Sequence, residues 1–552
     1  MTDRPETHTA ARRGRAPGRA RSTRIGALAG AVAAALACTF PAPAAEELGR
    51  VDFPATGAAE ARPHFERGVA ALHSFWYGEA AAAFQRAREL DPDFVMAYWG
   101  EAMTHNHPIW DQVELEEGRA VLADLAPTPE ERSARAPTAR ERAWLEAVEV
   151  LYFGDGEKDD RDRAYAEAMA RLAEGFPDLE ARAFHALAIE GVVYGGAPEE
   201  RRFPLLMRAA AELEELFDRS PEHPGVLHYL IHAYDDPVHA PLGLRAARRY
   251  AQVAPAAHHA LHMPSHIFVQ LGRWDEAAAS NEDAWEASVG WADHAGHGRG
   301  HHDYHSLAWL HYAYLQQGRI EAARGVLETA RRDAAAMPGE RVEGARAGMA
   351  ARHRIEALAM GLAGPLDAAL LPEEAPRYLP LRLADALSAA AGGDAEAARR
   401  AVEALRVEVS EAGEPSVERV MEREATAALL LAEGRPEEAL AAAAEGAEVD
   451  AALPPPSGPP DTIKPAQELC GELLLALGRP AEAAERFAIS LARTPRRPLS
   501  LLGAARAAAA QGDRQTAAQR YRELLEVWHQ ADPGIPALAE ARRFLEEGKR
   551  AG

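Results

Sequence analysis

The sequence predicts an all-α fold, a solenoid of helix-turn-helix repeats, on three observations. At 552 residues the chain is either several ordinary domains or one long array that adds repeats without enlarging any single core. Near its carboxyl end LGRPAEAAERF and QGDRQTAAQRY superpose, with Gly478 on Gly512, Ala483 on Ala517 and Phe487 on Tyr521, each pair 34 residues apart. No segment shows sustained strand alternation or paired hairpin turns.

A period of 34 is the tetratricopeptide spacing. Glycine permits the turn between the two helices of a unit, the small alanine lets them approach, and the aromatic fills the gap against the next unit. The same grammar recurs at FWYGEAAAAFQRARELDP (75–92), LGRWDEAAASNEDAW (271–285), QGRIEAARGVL (317–327) and EGRPEEALAAA (433–443).

In chain order, residues 1–44 read as a secretory signal. Seven arginines there oppose only Asp3 and Glu6, the apolar run IGALAGAVAAALA (25–37) is 13 residues, too short to span a bilayer, and Ala42-Pro43-Ala44 offers a small-residue cleavage site. The expected product is exported, periplasmic or extracellular, with Cys38 in Ala-Leu-Ala-Cys38 as a site for a lipid anchor. Repeats then occupy 45–330, with a histidine-rich region at 223–311. An irregular helical middle follows at 331–420, and a carboxyl-terminal set of repeats at 421–552. The proline-rich stretches 126–139 and 454–460 read as loops, and 290–302 as a polar, glycine-rich insertion.

Composition excludes some partners. The formal charge is -24, and removal of a leader of net +5 leaves about -29, which argues against nucleic acid or an anionic membrane surface. With Cys38 in the leader, Cys470 has no partner for a disulfide.

Fourteen of the 22 histidines lie between 223 and 311. Setting LHYLIHAYDDP against LHMPSHIFVQL places His228 over His262 and His232 over His266, again 34 apart. Residues i and i+4 on a helix share a face, with Cβ atoms about 5–6 Å apart, so an HxxxH pair can grip one ion. Packed helices stand about 8–10 Å apart, which lets imidazoles from two neighbouring first helices meet. Asp235 would add a carboxylate on the same stripe, and His258 extends the second stripe by one turn. Beyond the insertion, His301 and His305 form another such pair, with His302 at the helix entrance. The candidate ligands are therefore His228, His232, Asp235, His262, His266 and His305, with His258, His301 and His302 secondary. Such a set suits one divalent zinc, iron, copper or nickel ion.

Blander readings stand beside these. A lone helical histidine is more often packed than ligating, and His311 takes the place of a small repeat residue, so it reads as structural. Pro264 interrupts the second pair. Met103, His105 and His107 read as core, Glu190 as a solvated glutamate, and Cys470 as an inert buried thiol. No GxSxG, Walker loop or dinucleotide fingerprint is present.

The stretches LHSFWYGEAAAAFQRARELDPDFVMAYWGEAM, PEHPGVLHYLIHA and HALHMPSHIFVQLGRWDEAAASNEDA resemble a bacterial family of exported, histidine-rich tetratricopeptide repeat proteins. So does KPAQELCGELLLALGRPAEAAERFAISLARTPRRPLSLLGAARAAA, and the likeness covers most of residues 60–515. It implies an α-solenoid in which His223, His228, His232, His262 and His266 match the family pattern, whereas GHGRGHHDYH departs from it. Three functions follow as expectations. The first is a module binding a protein, peptide or small ligand in its concave groove, with a metal ion organising the centre; the others are a metal-dependent hydrolase or oxidoreductase and a metal-free scaffold of the cell envelope.

Overall fold

The repeats turn on glycine. Gly272, Gly318, Gly434, Gly478 and Gly512 all adopt φ between 62° and 80°, the left-handed conformation that closes a helix with least steric cost in a residue lacking Cβ. The computed structural model describes residues 45–337, 339–362, 368–372, 378–409 and 415–551. The expected leader and Cys38 lie outside them. The fold is an all-α solenoid of antiparallel helix pairs, beginning with Arg62–His73 and Tyr77–Leu90 and ending with Pro498–Ala510, Arg514–Val527 and Pro536–Ala551.

At two joints an aromatic wedge locks neighbouring helices together. Phe84 and Phe487 are fully buried, and each sits between a glycine 16 residues before it and one 16 after: Gly68 and Gly100, Gly471 and Gly503. A Cβ on any of these four would lie 2.2–2.7 Å from the ring, so only glycine admits the wedge. Burying one such ring contributes about 1.5–3 kcal/mol.

Two loop expectations are corrected. Within 126–139, Pro129–Arg135 is a helix, because Thr128 and Glu131 form a capping box with proline in the first turn. The 290–302 insertion begins late, since the Trp274–His294 helix runs into it. A two-residue antiparallel ribbon pairs Asn106–His107 with Gln112–Val113.

Distant repeats close over the histidine region. Arg62–His73 packs on Pro224–Ala233. From the other end, the Trp528 indole N–H donates to the Gln316 carbonyl at 3.0 Å. The 454–460 linker also crosses here: the Gln270 amide donates to the Pro456 carbonyl at 2.7 Å, and Gly458 lies so close to the Trp309 ring that a Cβ would approach it to 2.3 Å. Among the described residues, no helix is long and apolar enough to cross a membrane.

Candidate metal centre

Three short helices carry the histidines: Pro224–Ala233, His258–His262 and Pro264–Gln270. Pro264 divides the last two but does not separate their faces. Met263 between them keeps helical angles, and its N–H still bonds to the His259 carbonyl. The fourth contributor, Tyr304–Gln316, is N-capped by the Asp303 carboxylate, which accepts from the His305 and Ser306 N–H groups. Its first turn projects His305 toward His262, with ring centroids 4.7 Å apart.

Six imidazoles gather there in two groups of three, His228, His232 and His259, then His262, His266 and His305. Within each group one ligand atom per residue lies within 4.8 Å of the others. Each HxxxH pair thus recruits one further ring. His305 was expected; His259 was not. His258, named in its place, turns aside to pair with Asp303 at 3.3 Å. Either member of the HH dipeptide reaches the inner face, because i−3 and i−4 both adjoin His262 on a helix.

Asp235 corrects a second expectation. The helix ends at Ala233, so Asp235 is not on the histidine stripe. Its carboxyl group, which burial raises well above the ordinary carboxylate range, instead backs His266, bonding Nδ1 at 2.7 Å and accepting from the Gln270 amide at 3.1 Å. His301 and His302 also fall away. The helix begins only at Tyr304, leaving exposed His301 stacked on His297 and His302 against the Asp333 carboxylate at 3.2 Å.

Outer partners fix the tautomers of His228 and His262. The His73 carbonyl can only accept, so His228 donates to it from Nδ1 at 2.7 Å. The Asn281 amide is oriented by its own N–H bond to the Ala277 carbonyl, so its oxygen accepts from His262 Nδ1 at 2.6 Å. With Nδ1 protonated, His262 and His266 present bare Nε2 lone pairs to each other at 3.1 Å. These repel unless a cation lies between them or Asp235 carries a proton. His228 and His232 repeat the Nε2-to-Nε2 contact at 3.2 Å, while His232 Nδ1 and His259 Nε2 are buried without hydrogen-bond partners. An outer acceptor on the far nitrogen is the usual support for a ligating histidine.

Burial keeps these rings neutral. It pushes His228 and His266 down to about 3 and His232, His259 and His262 well below the ordinary imidazole value, because a charged ring loses hydration there. The walls are aromatic. Trp309 lies 4.3 Å from His266 and 4.9 Å from His262, centroid to centroid. Phe75, held at φ 50°, lies 4.3 Å from His228. A left-handed phenylalanine is strained backbone, and here it sits against the candidate site.

A third acidic and histidine cluster needs no ion. Glu180 accepts from His73 Nε2 at 2.8 Å, from His223 Nε2 at 3.1 Å and from the Asp52 N–H at 3.1 Å. Tyr229 then donates to His73 Nδ1 and the Val226 N–H to His223 Nδ1. Neutral rings and an ionised carboxylate satisfy every atom. His223 is therefore structural.

Elsewhere, Glu190 is not solvated. It is fully buried, both carboxyl oxygens lack partners, and burial raises it well above the carboxylate range. His311 is buried beside His353, and Cys470 is a buried thiol that burial pushes up to about 11.

No protein-family model and no curated protein matches the chain. Among solved structures, the APC/C hetero-tetramer Cut9-Hcn1 is similar at 13% identity and a TM-score of 0.34, with 83% of this chain and 78% of that chain covered. The human IFIT1 dimer with PPP-AAAA is similar at 12% identity and a TM-score of 0.37, with 88% and 99% covered. The solenoid assignment rests on this chain's own helix pairs.

Proposed function

We propose that the chain is an exported metal-binding solenoid whose histidine centre holds a divalent transition metal with coordination positions left open, as a metal-dependent enzyme requires. The observation that carries this is the facing of His262 Nε2 and His266 Nε2 at 3.1 Å, with the far nitrogen of His262 donating to Asn281, that of His266 held by Asp235, and both rings kept neutral by burial. A structural zinc site closes with four protein ligands, whereas a catalytic site keeps three and leaves the fourth position to water or substrate. Each group here offers three. Imidazole donors without an inner carboxylate favour zinc, copper, nickel or iron over magnesium or calcium. Export rests on the basic leader and short apolar run of residues 1–44.

The test is elemental analysis of the purified full chain after expression with each metal supplied. At least one ion per chain is expected, and replacing His262 and His266 together by alanine should remove it while helicity stays. Less than about 0.1 ion per chain removes the reading.

A further inference from the structure

Resting on the metal reading above, we propose that the two three-histidine groups form one paired centre, which holds two ions bridged by a single small anion. The groups are not independent sites on separate repeats. His232 of the first lies 5.7 Å from His266 of the second, and His259 of the first lies 5.8 Å from His262, ring to ring. The 34-residue period stacks His228 and His232 beside His262 and His266. The third ring of each group comes from a helix further along the chain, His259 for the first and His305 for the second. Two ions about 3.5–4 Å apart can share one ligand, and rings of the two groups stand in direct contact, 5.7 and 5.8 Å between centroids.

Charge points to the bridge. All six donors are imidazoles, and the carboxyl groups beside them are Asp235 on His266 and Asp303 on His258. Two divalent ions would bring four positive charges against these two carboxylates. Uncompensated charge in a buried site is costly, so an anion taken from solvent must make up part of the difference. A position open on each ion is where hydroxide or azide would sit.

Copper is the probe, because a bridging anion couples two Cu(II) spins and quenches their EPR signal. The full chain loaded with Cu(II) should bind two ions per chain and show less than about a tenth of the signal of two free spins. Azide should shift its charge-transfer absorption without releasing copper. His228→Ala should bind one ion and show a full single-spin signal. His305→Ala, which alters an exposed ring of the other group, should do the same and serves if the first variant does not fold. Two ions with full signal would overturn the bridge, and one ion per chain in the parent protein would overturn the pair. No copper and no other metal would remove the reading on which both rest.

Discussion

Replacing Asp235 by alanine isolates the support behind the inner ring of ligands. The side chain is not one of the six inner ligands, yet it holds one of them, bonding His266 Nδ1 at 2.7 Å and accepting from Gln270 at 3.1 Å. Without it the His266 ring can rotate or change tautomer, which moves the Nε2 lone pair away from His262. Outer partners of this kind are worth 10–100-fold in metal affinity, or about 1.4–2.7 kcal/mol. The metal-free protein should also lose about 1–3 kcal/mol for each buried donor left unpaired. Gln270 retains the Pro456 carbonyl, so the loss falls mainly on His266. Competition with a chelating dye gives the affinity, and urea unfolding of the metal-free chain gives the stability. Asp235→Asn, which keeps an acceptor oxygen and drops the charge, should fall between alanine and wild type. An alanine variant that binds metal as tightly as the parent would refute the assigned role of Asp235.

Further outcomes separate site from scaffold. Glu180→Gln breaks the buried His73–Glu180–His223 network and should cost about 3–5 kcal/mol while leaving metal content unchanged; loss of metal would show that this cluster belongs to the centre. Phe487→Ala empties the wedge between Gly471 and Gly503 and should cost about 3–5 kcal/mol in urea unfolding. Gly503→Ala should destabilise the parent yet cost less in the Phe487→Ala background, and equal costs in both would deny the steric coupling. Cys470, buried and pushed up to about 11, holds only about 0.1% thiolate at pH 8, so a disulfide reagent should meet it only on unfolding. A fast phase with the folded protein would contradict that.

Local rules carried the fold. The 34-residue period placed glycine at the turns and an aromatic at the joint, and the coordinates show the same joint at Phe84 and Phe487. The pairs His228–His232 and His262–His266 were legible for the same reason, since spacing within a helix fixes which side chains are neighbours. What escaped depends on contacts far apart in sequence or on where a helix stops. Asp235 reads as a ligand until the helix is seen to end at Ala233. His301 reads as a partner of His305 until that helix starts at Tyr304. His259 was hidden by its neighbour, because HH offers two registers and Pro264 blurs the choice between them. The network of His73, Glu180 and His223 joins three repeats, and the 454–460 linker reaches Gln270 from 186 residues away and also Trp309. No periodicity encodes such closures.

The most direct measurement is an anomalous-difference map from crystals of the metal-loaded chain, recorded at the absorption edge of the bound metal. The account predicts density about 2.0–2.1 Å from imidazole nitrogens of His262, His266 and His305, with a second peak beside His228, His232 and His259. Crystals of metal-loaded protein with no peak among these six rings would contradict it.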